Sequence, residues 1–304
     1  MVSFGGASPR HPAESFCQPG PGSLNVVHVE VFDLCVGEWL ANGSHPFLPH
    51  AVADESDSFH IETMLRGELG IVPQGVHVPA MKVRELLATA EVPGGAPLRL
   101  FRRDRDYMIV LDRNELMNSR MSGSEEQLAT LTVARLANRT NPRLLIGGYG
   151  MGFTLRAALA ALPAKASVVV AELVPEIIAW ARGPMAELTA GCLDDPRVTV
   201  FEGDVAAAIA AGRGSYDAIL LDVDNGPDGL TRAGNDGLYS VTGLAAAKAA
   251  LVRGGILAVW SAGDDPAFTR RLNTNGFAAN PTHVRARSNG KGAQHTIWLA
   301  QSRN

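Results

Sequence analysis

Between residues 143 and 260 the chain repeats one pattern: a short apolar run rich in strand-forming residues, then a stretch rich in Ala and Leu. The apolar runs are residues 143–146, 168–171, 198–201, 218–221 and 256–260. Between them lie 153–162, 175–188, 205–211 and 244–251, which have helical composition and length. Strands that are apolar throughout must be covered on both faces, and the intervening helices supply that cover. The alternation predicts an α/β fold with a parallel sheet between two helical layers. A further helix over 266–275 leads to two long strand candidates, 277–287 and 294–300, joined at Asn289-Gly290-Lys291-Gly292, a hairpin turn.

Upstream, residues 98–102 and 107–111 flank Arg103–Asp106 and read as a second β-hairpin, followed by a helix over 124–138. Glu125 and Glu126 then fall in the helix's first turn, where acidic residues suit the positive end of the dipole. Residues 1–80 differ from everything after them. They hold only Arg10 and Arg66 against nine acidic residues, although the net charge of the whole chain is −4. The shift predicts a boundary near residue 80: an extension over 1–80, partly disordered, precedes a hairpin and helix over 81–139 and the Rossmann-like alternation over 140–304. His45, His50 and His60 match no metal-ligand spacing, and no metal is expected.

Ligands of such sheets bind beyond the carboxyl ends of the strands. There the first run of the alternation enters Gly147-Gly148-Tyr149-Gly150-Met151-Gly152 and then a helix. Glycines let a backbone turn tightly and bring its N–H groups close to a ligand. Glu172 ends the next strand, where a carboxylate can accept hydrogen bonds from both ribose hydroxyls. The pair points to an adenosine ligand. A dinucleotide fingerprint read from Gly148 would need glycine at 153, where Phe153 stands, so an S-adenosyl ligand fits better. Asp204 ends the third strand, either to accept the adenine amino group or to cap the next helix. The fourth strand ends in Asp222-Val223-Asp224-Asn225-Gly226-Pro227-Asp228, an acidic cluster at the catalytic edge.

These residues resemble the spermidine synthase family over roughly residues 81–304, most closely its bacterial spermidine-synthase-like branch. The resemblance rests on the glycine loop over 146–152, Glu172, Gly203-Asp204, the run from Tyr216 to Asp222, and residues 114–126. It implies an S-adenosylmethionine-dependent transferase fold. It also implies transfer of an aminopropyl group from decarboxylated S-adenosylmethionine to a diamine. On that reading Asp222 is the base and Asp224 its catalytic neighbour. Gly147, Gly148, Gly150, Gly152, Glu172 and Asp204 hold the nucleoside, and Glu115, Glu126, Asp228 and Tyr239 lie on the substrate side. The family also implies a homodimer.

Two positions and one short stretch depart from the family's pattern. Gly150 stands where an Asp is common in the glycine loop, and Asn225 where an Asp commonly follows the base. Ser124-Glu125-Glu126 replaces a Tyr-His-Glu stretch. These departures keep a second function open, methyl transfer from undecarboxylated S-adenosylmethionine, and a third, a non-catalytic nucleoside-binding module. Arg285, Arg287 and Lys291 are too few for a nucleic-acid surface. Trp260, ending the fifth strand, reads first as core and second as lining of the site. No run of apolar residues is long enough to span a bilayer, and Cys17, Cys35 and Cys192 stand far apart without a CxxC pair. Both features fit a cytoplasmic protein with no membrane partner.

Overall fold

The structure is a computed structural model and describes residues 83–92, 95–223, 226–227 and 236–303. The histidine cluster and the rest of the predicted 1–80 extension lie outside the described residues. So do Asp224, Asn225 and Asp228.

Two sheets organise what is described. The first is an antiparallel meander of β1 (Glu85–Ala90), β2 (Leu98–Arg103), β3 (Asp106–Leu111) and β4 (Asn114–Asn118), in that spatial order. The predicted hairpin is its β2–β3 pair, in register from Leu98↔Leu111 to Arg103↔Asp106. The outer strands were not anticipated. β1 reads Glu-Leu-Leu-Ala-Thr-Ala and β4 reads Asn-Glu-Leu-Met-Asn. One is built largely of helix formers and the other of residues depleted in strands, so pairing with β2 and β3 has overridden local propensity.

The second sheet has seven strands in the order β10-β11-β9-β8-β5-β6-β7. These are β5 (Arg143–Gly147), β6 (Ser167–Glu172), β7 (Val198–Glu202), β8 (Tyr216–Leu221), β9 (Leu251–Ser261), β10 (Phe277–Arg285) and β11 (Gln294–Ser302). The first five are parallel, and β10 and β11 close the edge as an antiparallel hairpin. Successive residues divide cleanly between the faces. Leu144, Ile146, Val168, Val170, Ala218 and Leu220 enter one apolar core, while Leu145, Ala171, Ile219 and Leu221 enter the other. That is the period-two division expected of a sheet buried on both sides.

The helices are α1 (Gly123–Arg135), α2 (Phe153–Ala161), α3 (Pro175–Arg182), α4 (Ala186–Thr189), α5 (Val205–Ala211), α6 (Asp236–Tyr239), α7 (Val241–Ala250) and α8 (Pro266–Thr274). The stretch 175–188, predicted as one helix, is two. Gly183 caps α3, and Pro184 has no N–H with which to continue the ladder. β9 begins five residues before its predicted start, because Leu251 already pairs with Tyr216; the register then shifts before Ile256 pairs with Ala218, and Gly254, at φ +70°, lies in that irregularity. No helix among the described residues is long and apolar enough to cross a membrane.

β5 sits at the topological switch. Its neighbours β6 and β8 lead the chain to opposite sides, which opens a crevice above its carboxyl end.

Candidate functional site

The strand ends at this crevice are stitched together by backbone hydrogen bonds. Gly148 N–H donates to Ala171 O at 2.9 Å, Gly203 N–H to Glu172 O at 2.7 Å, and Asp222 N–H to Gly147 O at 2.9 Å. Gly148 has φ +84°, and a Cβ there would stand on the carbonyl of Asp222. Only glycine lets the loop pass this close to β8's end.

Above the strand ends lies a cavity of about 250 Å³. Its floor includes Gly148, Gly150, Glu172, Asp204 and Asp222. Leu98, Ile109, Leu111, Leu116 and Met117 of the four-stranded sheet give it an apolar wall, and Glu125 and Trp260 complete a third side.

Glu172 is buried at the end of β6. Its Oε2 accepts Tyr149 N–H and its Oε1 accepts Val174 N–H, both at 2.9 Å. Burial pushes its carboxyl above the usual range, and these amides oppose that shift. Each carboxylate oxygen has a second lone pair, so capacity for a ligand hydroxyl remains. Asp204 caps α5, accepting Ala206 N–H at 2.8 Å, and also lines the cavity. The two readings of Asp204 are therefore compatible.

Asp222 is part-buried at the end of β8. Thr154 Oγ1 donates to its Oδ2 at 2.5 Å. Burial pushes the Asp222 carboxyl up to about 6, and the Thr154 hydrogen bond opposes this. Across the cavity Glu125 is 7% exposed. Burial first, and the negative charge of Asp222 second, push its carboxyl up to about 7, while the Ser124 hydroxyl pulls it down. Two acids so placed share protons, because neither ionises without raising the cost of ionising the other. Such a pair can hold a cation or take a proton near neutral pH.

The remaining candidates fall elsewhere. Gly147 ends β5 beneath Val205, and Gly152 caps α2 against the Tyr149 ring. Glu115 is exposed on β4, where its Oε1 accepts Asn118 Nδ2–H at 2.7 Å. Glu126 is half-buried on α1, and its neighbour Glu125 takes the cavity position. Tyr239 is buried in the core edge-on to Phe268, with its hydroxyl donating to Val223 O at 3.3 Å. Val223, whose carbonyl it meets, lines the cavity. Trp260, read first as core, lines the cavity, and its indole N–H has no partner among the described residues.

Glu125 is the residue that the sequence reading passed over, yet a signal for it existed. Residues 125, 128, 129, 132, 133 and 136 share one helical face, and all are buried. An acid on a stripe whose other members are uncharged and buried marks a candidate functional group more sharply than its first-turn position did.

No family model matches the chain. Over 150 residues it is 32% identical to polyamine aminopropyltransferases of Mycobacterium tuberculosis and Mycobacterium bovis. That match covers 46% of this chain and only 28% of theirs. Among solved structures, spermidine synthase from Thermotoga maritima aligns with a TM-score of 0.56 at 18% identity, covering 71% of this chain and 72% of that one. A spermidine synthase in complex with the transition-state analogue AdoDATO gives 0.55 at 18% identity over 71% and 72%. A probable spermidine synthase from Corynebacterium glutamicum gives 0.50 at 16% over 72% and 80%. The fold is that of the spermidine synthases, and over 150 residues the sequence is similar to the polyamine aminopropyltransferases.

Proposed function

We propose that this chain transfers the aminopropyl arm of decarboxylated S-adenosylmethionine to an amine acceptor. The observation that carries the reading is the charge of the cavity. Glu125, Glu172, Asp204 and Asp222 line it, and the described lining contains no Lys, Arg or His. A sulfonium that bears an ammonium arm, and a diamine beside it, are cations that suit such a lining. A donor that kept its carboxylate would add a negative charge to this acidic lining. Among the loop amides, Tyr149 N–H already donates to Glu172 and is not free to receive that carboxylate. These two facts weigh against methyl transfer from the undecarboxylated donor.

In this reading Glu172 and Asp204 hold the nucleoside, and Gly148 and Gly150 let it approach the backbone. The sulfonium supplies an electrophilic carbon and a thioether leaving group. Asp222 and Glu125 hold the attacking amine and take its proton as the nitrogen lone pair forms the new C–N bond. The C–S bond breaks with its electron pair going to sulfur. The apolar wall from the four-stranded sheet excludes water, which strengthens the carboxylate–ammonium attraction.

The test is calorimetry of the full chain against both donors, followed by product analysis with linear diamines. The decarboxylated donor is expected to bind more tightly, and Asp222→Asn to lower turnover by ~100-fold or more with little change in donor affinity. Preference for the undecarboxylated donor, or near-normal turnover of Asp222→Asn, would overturn the reading.

A further inference from the structure

The start of α1 is fastened to the C-terminal hairpin. Gly123 N–H donates to Ala286 O at 2.9 Å, and a Cβ at position 123 would collide with the backbone of Arg287 and Ser288. This close approach sets the next residue, Ser124, against β11. His295 Nδ1 lies 2.9 Å from Ser124 Oγ, and Ser124 Oγ donates to Glu125 Oε2 at 2.6 Å. Ser124 and Glu125 are buried, whereas His295 is half-buried, with its ring edge-on to Trp260 at 4.8 Å. An unbroken hydrogen-bonded path thus runs from the cavity carboxyl to a partly exposed imidazole on another element.

The proton count along this path is restrictive. Ser124 has one hydroxyl proton. When Glu125 is ionised, that proton goes to Glu125, and the Ser124 oxygen accepts from His295 Nδ1–H. When Glu125 is protonated, its own O–H can donate to Ser124, whose hydroxyl then turns to a bare Nδ1. The tautomer of His295 therefore depends on the charge of Glu125.

We propose that Glu125, Ser124 and His295 form a relay through which a proton collected in the cavity leaves toward β11, with Ser124 and His295 positioning Glu125 against Asp222. As the exit for the proton of the attacking amine, the relay rests on the aminopropyl-transfer reading. In one passage the Glu125 proton moves to Ser124 Oγ and the Ser124 hydroxyl proton moves to His295 Nδ1. The Nε2–H proton then leaves to water. Glu125 ends ionised and the imidazole neutral, with no change of oxidation state. Burial lowers the pKa of His295, and no charged neighbour contributes to that shift, so the ring rests neutral and releases a proton readily. Its surroundings are Ser124 on α1, Trp260 on β9 and Val284 across the strand pair on β10. Glu125 faces Asp222, Ser124 and Glu126.

The test begins with nitrogen NMR of the His295 imidazole in the full chain, which needs no substrate. At alkaline pH the wild type is expected to hold Nδ1–H, and Glu125→Leu, which removes the acceptor of the Ser124 proton, to free that hydroxyl for the ring and switch it to Nε2–H. The same tautomer in both would overturn the relay, whatever reaction the chain performs. The second arm is His295→Asn, whose amide can still donate to Ser124 but cannot pass a proton on. Donor affinity should stay within about twofold while turnover falls on the order of 10-fold. Unchanged turnover in a folded variant would overturn the proton-carrying role. If the wild type transfers no aminopropyl group, the parent reading falls, and the tautomer comparison still decides the relay.

Discussion

Glu125 and Asp222 hold their protons more tightly folded than unfolded, with carboxyls near 7 and 6 against ordinary values of 4.5 and 3.8. The sign follows directly. Between the unfolded and folded pKa values the native state binds more protons, so stability falls as pH rises through that window. The pair's contribution is fullest below about pH 4 and is lost by about pH 7. Glu125→Gln removes one of the two charges. Its melting temperature, compared with wild type across that window, should decline less with pH, and parallel curves would show that the pair is not coupled to folding. Glu172 makes a different prediction because its carboxylate holds two backbone amides. Glu172→Ala strands both, at ~1–3 kcal/mol for each unsatisfied group. It should therefore lower the melting temperature as well as donor affinity, and loss of affinity at unchanged stability would argue that the amides find other partners.

Among the elements, α2 supplies the control that the cavity acids need. Its first turn carries Thr154, whose hydroxyl donates to Asp222 and opposes the effect of burial on that carboxyl. Thr154→Val keeps the shape and removes the donor. Asp222 should then titrate higher, moving the acid limb of the pH–rate profile upward, so that rate falls more near pH 6 than near pH 8.5. A uniform loss at all pH values would mean that Thr154 only supports packing. α1 shows how phase decides chemistry. Adjacent glutamates differ by about 100° around the helix axis, so Glu125 joins the buried stripe while Glu126 stays at its margin. β4 contributes Met117 to the cavity wall although its own composition argues against a strand. Its pairing with β3 puts it there.

For the whole molecule, the two apolar cores on either face of the seven-stranded sheet hold the strand ends at fixed spacing, and the four-stranded sheet roofs the cavity they define. The described lining runs from Val92 to Trp260. A chain beginning at Met81 should therefore retain donor binding, with a melting temperature within ~5 °C of the full chain. A larger drop, or lost binding, would assign residues 1–80 a part in the fold or the site.

The sequence by itself determined the alternation of strands and helices, the hairpin at the sheet's edge, and the positions of Glu172, Asp204 and Asp222 at the carboxyl ends of their strands. These features are local: strand and helix periodicity lies within a few residues, and a parallel sheet delivers its strand ends to one edge. The tertiary structure alone decided which acids face one another. Glu125 and Asp222 are brought together by packing between α1 and the sheet, and Ser124 meets His295 across 171 residues of sequence. Outer strands β1 and β4 likewise exist through their partners rather than their propensities. Burial raises the carboxyl pKa values, and burial is a sum over contacts from distant segments. Glycine-loop spacing raised the expectation of a nucleoside site, but only the folded chain shows a cavity lined by four acids and a hydrogen-bonded path from one of them to His295.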